Sequence, residues 1–591
     1  MDTAIDHAAH EEGRGGNYWH LDPTLRRELR RVLADDEFAW AESRLADFGE
    51  LAATTLADNA DHVDSVGLTL DTYDRYGDVA NRVNYPAEHR ESERLTYESG
   101  IVADAFRAPP DRDEPLPLSH FLGMLSLLSY SDPGLACPVA MTAGAALVLE
   151  KFDDGTLADY YDGLTARDHD DLVEGAMFLT ERQGGSDVGA TETTAEYDDD
   201  ADCYRLTGEK WFCSNLDAEG TLALARRPDA PDGTEGLSLF LVPHTTRDGE
   251  LNDQLYRRLK DKLGTVSVPT GEVEFRGAEA SLVGEPEDGF KQMAEMLNLE
   301  RLANAAAACG IIGRALLEAT VHAADREAFG DTVDRYPLMR ADLVDMTVDH
   351  EAATAFTFEA ARLLSERERA QRAGESADDE YRLMRLLVPI AKLRTGRMAV
   401  DTTSYAMEVL GGNGYVDDFV TNRLLRDAQV LPIWEGTENV LSLDVLRALD
   451  REDAHEPLLA AIDDRLGSVD HPALADAVAA AREAESELGS ALATLATADR
   501  DYAQLSAKRL AHFVFDVFTA ALLLAEAQDA IDEGNGRLAL VARRFVDREL
   551  ADGEARGITS GDRLPLEWFE PVVRHEPVDP ATLADAVPAD D

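Results

Sequence analysis

Four short motifs carry groups that could hold a ligand or move a proton. Thr180-Glu-Arg-Gln-Gly-Gly-Ser-Asp187 leaves a β-type run. Its glycines let backbone N–H groups approach a ligand, and Thr180 and Ser186 supply hydroxyls. Gly208-Glu-Lys-Trp-Phe-Cys-Ser-Asn215 reads as a β-hairpin, Leu410-Gly-Gly-Asn-Gly-Tyr415 as a glycine helix cap, and Ile433-Trp-Glu-Gly-Thr-Glu-Asn439 as a helix start. Taken singly, each is a common structural device, and Glu435 is a helix-start carboxylate facing the dipole. The histidines lack metal-ligand spacing, so no metal is expected; His322 and His350 read as ordinary helix residues, and His244 and Lys262 receive no role. The Rossmann fingerprint, the Walker A loop and the HExxH zinc helix are absent, which removes the best support for nicotinamide, P-loop and zincin chemistry.

The elements that must position these motifs are legible in outline. The 591 residues exceed one ordinary core, and 45% hydrophobic content is enough to fill several. Residues 1–174 read as mainly helical, with Leu25, Leu29, Val32 and Leu33 at helical spacing. Residues 175–286 carry short β-type runs at 176–180, 203–206, 221–225, 237–242 and 271–275, as in a small antiparallel barrel or sandwich. Residues 287–450 return to long helical segments at 290–329, 337–372, 381–410 and 437–449, a pattern that predicts a four-helix bundle with a kink at Pro389. Residues 451–591 form an acidic, mainly helical extension expected to pack on that bundle. The fold class is α+β.

Lys and Arg total 56 against 116 Asp and Glu, a formal charge of −60. Phosphate backbones and anionic membranes would be approached through a repulsive field. Acidic residues spread along the whole chain fit a surface adapted to a salty, halophilic cytoplasm. Four cysteines without a C-x-x-C pair argue against structural zinc or a disulfide framework. No secretory leader is evident in residues 1–16, and no apolar run approaches the ~20 residues that cross a bilayer; a soluble cytoplasmic protein is expected.

Together, the order and spacing of the motifs resemble the acyl-CoA dehydrogenase family of flavoproteins, in the branch that includes the alkylation-response protein AidB. The likeness runs from about Leu118 to Leu449. Cys137-Pro-Val-Ala-Met-Thr142, Arg258-Leu-Lys-Asp-Lys-Leu-Gly264 and Pro337-Leu-Met-Arg340 are similar to that branch in particular. The resemblance implies an FAD site in which Phe178, Leu179 and Thr180 lie along the flavin, Ser186 reaches flavin and acyl-CoA, Phe212 stands beside the ring, and Ser214 replaces the usual threonine at N5. It implies that Arg326 and Phe329 reach the FAD of a neighbouring subunit, that Glu408, Gly411 and Gly412 hold that cofactor's pyrophosphate region, and that Thr437 and Asn439 hold the adenosine part of the chain's own FAD. A homodimer or homotetramer follows. Pro337 departs from the flavin-contacting glutamine of many members, although the AidB-like branch shares it.

Removing a proton α to a thioester needs a carboxylate near that carbon and hydrogen-bond donors on the carbonyl oxygen. Glu435 matches the family's commonest base position; Glu300 matches a second position used by some members, and Arg301 a widely shared arginine implied to bind substrate. If both carboxylates share one slot, their like charges raise the apparent pKa of at least one. The implied function is α,β-dehydrogenation of an acyl-CoA, with electrons passed to an electron-transferring flavoprotein. DNA protection of the AidB type, a noncatalytic flavin scaffold and an oxidase remain as alternatives. The extension bears on the first: residues 451–591 hold 13 Lys/Arg against 29 Asp/Glu, a net −16, and Lys508-Arg509, Arg543-Arg544 and Arg548 read as solvated helix faces.

Overall fold

The computed structural model describes residues 4–551 and 562–586. The fold is α+β, and its residues group into two compact units: Thr54–Ala303, and Met1–Ala53 with Asn304–Asp591.

The Thr54–Ala303 unit contains a two-stranded hairpin, β1 (Thr69–Tyr73) and β2 (Val79–Asn84), and a seven-stranded sheet. The sheet is built from β3 (Gly175–Phe178), β4 (Thr194–Asp198), β5 (Cys203–Ser214), β6 (Gly220–Arg226), β7 (Leu237–Pro243), β8 (Gln254–Leu259) and β9 (Thr270–Val283). Its order is β3-β6-β4-β5-β9-β7, with β8 on β9 and a further β6–β7 ladder, so β6, β4, β5, β9 and β7 form a closed ring. Most pairings are antiparallel; β3–β6 and β4–β6 are parallel. β6 and β7 are apolar runs buried on both faces, whereas β4 is largely exposed. Phe178, Leu206, Cys213, Phe240, Tyr256, Val273 and Phe275 fill the interior.

Two barrel strands and the hairpin were not expected, for a physical reason. β4 (Thr-Ala-Glu-Tyr-Asp) and β8 (Gln-Leu-Tyr-Arg-Arg-Leu) carry few apolar residues and become strands by pairing with long neighbours. β1 buries no residue fully, so its pattern has no hydrophobic signature. The preceding helices are apolar on every side: Leu118–Ser129 is wholly buried, and Pro133–Phe152 starts where the Asp132 carboxylate accepts the Leu135 N–H at 3.0 Å.

In the other unit, Pro337–Ala373 and Asp378–Leu410 pack with the later part of Gly289–Asp325 around Ala308, Cys309, Ile312, Ala353, Ala399 and Leu431, and Glu438–Arg451 packs on Asp378–Leu410. The Asp378–Leu410 helix runs on through Pro389. The extension contributes His455–Gly467, Ala475–Thr497, Arg500–Asp532 and Arg537–Glu549. It packs on the Pro337–Ala373 helix, with the Phe356 ring 4.7 Å from Phe515 and 5.7 Å from Phe518. Lys508 and Arg509 are exposed, as read from the sequence, but Arg544 and Arg548 are not a solvated face, which corrects that part of the reading: Arg544 pairs with Asp345 at 2.8 Å, and Arg548 with Asp349 and Glu549.

The Pro23–Val32 helix of this unit is bound by a buried ionic network. Glu351 sits 2.6 Å from both Arg27 and Arg537, and Glu359 lies 2.6–2.8 Å from Arg31, Arg362 and Arg465. Glu28 bridges Arg27 and Arg31, and Glu526 of the extension lies 3.4 and 3.3 Å from the same two arginines.

The expectation on apolar length also needs correction. Pro133–Phe152, Gly289–Asp325 and Arg500–Asp532 are each long and apolar enough to cross a bilayer. Between 78% and 94% of each apolar window is buried within the protein, so packing accounts for the apolarity.

Candidate active site

In the Thr54–Ala303 unit, the segment after β3 and the loop between β8 and β9 are tied to the end of β5 that bears Trp211 to Ser214. The Phe178 side chain is buried in the barrel, so its outward-facing part is backbone. Leu179 and Thr180 are half-buried, and the Thr180 carbonyl accepts the Trp211 N–H at 2.9 Å. The next residue anchors the loop. Glu181 accepts from Lys210 Nζ at 2.8 Å, from Thr193 Oγ1 at 2.6 Å and from the Glu192 N–H at 2.7 Å. Burial lowers the Lys210 pKa, while for Glu181 the same penalty is outweighed by Lys210, which lowers its pKa too. With its root tied down, the Gly184–Gly185–Ser186 tip is free to face solvent; Ser186 is exposed, and Gly184 has φ +132°.

Phe212 is 57% exposed, an unusual position for a phenylalanine at the end of a barrel strand. Ser214 is half-buried, with Oγ 3.0 Å from Thr270 Oγ1. Lys262 donates to the Thr265 and Val268 carbonyls at 2.6 and 2.7 Å and to Thr270 Oγ1 at 3.3 Å, fixing the loop that holds Ser214's partner. Glu300 is buried, with Arg301 half-buried beside it. A Cβ on Gly144 would fall 3.3 Å from Glu300 Oε1 and 2.7 Å from Met296 Cγ, so glycine leaves the room this carboxylate occupies.

The other unit presents the remaining motifs. β10 (Glu327–Ala328) and β11 (Asp331–Thr332) form a hairpin whose turn residues, Phe329 and Gly330, both have positive φ. The Phe329 ring is fully exposed and stands edge-on to Tyr336, whose hydroxyl donates to the Ala328 carbonyl at 2.6 Å. Arg326 is exposed next to it. The Asp378–Leu410 helix ends at Gly411, with φ 63° and ψ −132°, a conformation open essentially to glycine. Glu408, Gly411 and Gly412 are exposed, and a Cβ at either glycine would meet nothing within 4 Å.

The Ile433–Asn439 segment is the most constrained. Glu435 has φ +55° and Gly436 φ +105°, so two successive residues are left-handed before Thr437 caps the Glu438–Arg451 helix. A non-glycine residue in that region costs about 1–3 kcal/mol and persists only where its surroundings over-determine it. Lys392, fully buried, donates to the Gly436 carbonyl at 2.6 Å. Gly396, on the same helix, lets the Leu431–Pro432 backbone approach to 3.2–3.4 Å of its Cβ position. Glu435 is half-buried; Thr437 and Asn439 are exposed.

Over residues 287–449 the sequence matches the C-terminal domain of acyl-CoA dehydrogenases, over 176–278 their middle domain, and over 10–171 the N-terminal domain of the adaptive response protein AidB. Acyl-CoA dehydrogenase family member 11 of Caenorhabditis elegans is 36% identical over 440 residues, 73% of this chain and 70% of that one. The chain belongs to the acyl-CoA dehydrogenase family. Another family member, the putative acyl-CoA dehydrogenase AidB of Escherichia coli, is 37% identical over 54% of this chain and 58% of its own. The crystal structure of C. elegans ACDH-11 in complex with C11-CoA superposes with a TM-score of 0.85 at 31% identity, covering 93% of this chain and 94% of that one.

Sequence reasoning gave no role to four residues that fix motif segments within their own units. Glu181 and Lys210 lay inside quoted motifs, but their pairing across 29 positions has no local mark. Lys262 also lay inside a quoted motif, but its carbonyl acceptors carry no local mark. Lys392 did carry one: it is a single cation in the apolar run Leu386–Leu393, and a buried lysine needs a fixed acceptor.

Proposed function

We propose that the protein is an FAD-dependent acyl-CoA dehydrogenase that introduces an α,β double bond into an acyl-CoA thioester. The observation that carries this reading is the left-handed Glu435, a carboxylate held in a strained turn at a helix N-terminus in a chain of this family. The surfaces suit FAD: exposed Phe212 and Phe329 offer aromatic faces, Thr180, Ser186 and Ser214 offer hydroxyls, and open glycines at 184, 411 and 412 let a diphosphate approach backbone N–H groups. Thr437 and Asn439 would hold its adenosine part. FAD supplies the hydride acceptor when bound.

The chain's own residues do the rest. Glu435 removes the α proton, and its backbone N–H donates to the thioester oxygen as negative charge grows there. Glu300, enclosed against Gly144 within its own unit, bears on acyl-chain preference. Arg326, Phe329, Glu408, Gly411 and Gly412 serve a partner subunit's cofactor, which makes the active species a homodimer or homotetramer, and an electron-transferring flavoprotein takes the electrons in a salty cytoplasm. Anaerobic mixing with saturated C4, C8, C11 and C16 acyl-CoAs tests the reaction: bleaching of the flavin by at least one is expected, and no bleaching by any would sink it. The purified protein is expected to be yellow, with FAD near one per chain by absorbance after denaturation.

Duplex DNA is a poor partner by this reading. Arg544 and Arg548 of the extension are engaged internally and the net charge of residues 451–591 is −16, while counterion release contributes little at high salt. No binding of a 30-base-pair duplex is expected in 1 M KCl by fluorescence anisotropy. Binding there, lost on deleting residues 451–591, would favour the DNA-protection alternative.

A further inference from the structure

The turn bearing Glu435 has a second anchor, and it comes from the extension. Glu438, three residues on, opens the helix, and both of its carboxylate oxygens are engaged from Arg500–Asp532. His512 Nε2 lies 2.8 Å from Oε1, and Lys508 Nζ lies 3.1 Å from Oε2. Positions 508 and 512 are one helical turn apart, so both heads fall on one face and close on one carboxylate.

The neighbours fix the imidazole's orientation. Arg394 NH1 is 3.4 Å from His512 Nδ1. Guanidinium nitrogen can only donate, so Nδ1 accepts and Nε2 carries the hydrogen given to Glu438. Arg394 in turn reaches Asp516 Oδ1 at 3.4 Å and stacks 4.8 Å over Phe515. Burial holds His512 below its ordinary pKa, which keeps it neutral near pH 7. Burial would raise Glu438, but the hydrogen bonds from His512 and Lys508 outweigh it and keep the carboxylate charged. The Glu438 carbonyl accepts Ser442 Oγ at 2.7 Å. Lys392 on the Gly436 carbonyl and His512 with Lys508 on Glu438 therefore clamp the turn from two sides.

We propose that His512, supported by Lys508, is a positioning residue through which the acidic extension holds Glu435 in its left-handed conformation. First helical turns fray when their groups lack partners, and a strained residue relaxes once its surroundings stop over-determining it. The catalytic part of this inference rests on Glu435 being the base; the structural part does not.

The test uses the full-length holoprotein and the best of the four acyl-CoAs above. His512→Ala is expected to retain FAD and the acyl-CoA Kd, and to slow the limiting rate of flavin reduction about tenfold, within the range that small misplacements cause. His512→Gln, whose amide can donate to Glu438, should recover to within about threefold of the parent. Glu438→Gln combined with His512→Ala should be no slower than the slower single variant, because one contact is being removed twice. Amide hydrogen exchange over residues 433–441, followed by mass spectrometry, should be faster in His512→Ala than in the parent, whichever residue is the base. Unchanged exchange and an unchanged rate, a glutamine variant as slow as alanine, or multiplicative losses would each overturn the proposal. Faster exchange together with normal reduction by Glu435→Gln would instead refute Glu435 as base and leave the clamp standing.

Discussion

Replacing Glu435 by glutamine is expected to leave FAD and acyl-CoA binding intact and to remove nearly all flavin reduction, by about 10²–10⁴-fold, the usual contribution of a positioned general base. Glutamine preserves shape and the backbone N–H but cannot take the proton. Glu300→Gln should mainly shift chain-length preference or pH dependence, because that carboxylate occupies an enclosed space against Gly144 and Met296. Stopped-flow reduction across the acyl-CoA series separates the two. The opposite pattern, Glu300→Gln inactive and Glu435→Gln nearly normal, would move the base to Glu300. If neither change slowed reduction, the dehydrogenase mechanism itself would have to be abandoned.

The second large effect is on stability. Glu359→Leu is expected to cost about 3–5 kcal/mol, because it leaves Arg31, Arg362 and Arg465 facing one another in a buried site. Glu366→Gln removes an exposed partner of Arg362 and should cost under about 1 kcal/mol. Urea unfolding at fixed high salt compares them, and equal midpoints would show that the network does not anchor the Pro23–Val32 helix. The pH dependence has a worked sign. Burial would raise Glu359 and Glu351, but the arginines around them hold both far below the ordinary carboxylate range. Their contribution is therefore fully present above pH 4.5 and is lost only well below it. Glu526 is the reverse case: burial and the neighbouring Glu28 push it up to about 8. The folded protein keeps a proton that the unfolded chain releases, so this contribution declines as pH rises from 4.5 to 8, and Glu526→Gln should flatten that slope.

Legibility in the sequence followed the kind of signal each element carried. The helix read at 337–372 is observed at Pro337–Ala373, because a continuous apolar stripe and an N-terminal proline mark it locally. β4 and β8 lacked such marks, since their strand character comes from neighbours distant in sequence. The motif loops could be placed from their glycines and their order. The conformation of Glu435 could not: a glutamate at positive φ leaves no trace except the glycine after it, and its supports, Lys392 and His512, lie 43 and 77 positions away. The arginines at 544 and 548 were misread for the same reason, because nothing near them in sequence names Asp345 or Asp349 as partners.

The order in which the chain leaves the ribosome acquires a constraint from the discontinuous unit. Residues 54–303 form a contiguous unit and can close while synthesis continues, but the helix carrying Arg27 and Arg31 belongs with residues from 304 onward. Its last acidic partner, Glu526, emerges 499 residues after Arg27; at roughly 5–20 residues per second that interval is about 25–100 s. Until Glu351 and Glu359 emerge, only Glu28 on the same amphipathic helix offsets Arg27 and Arg31, and Glu526 joins as the last acidic partner. A C-terminal truncation before Arg500 would remove Glu526 from beside Arg27 and Arg31 while leaving Glu351 and Glu359, so loss of the last helices would register as weaker docking of the Pro23–Val32 helix.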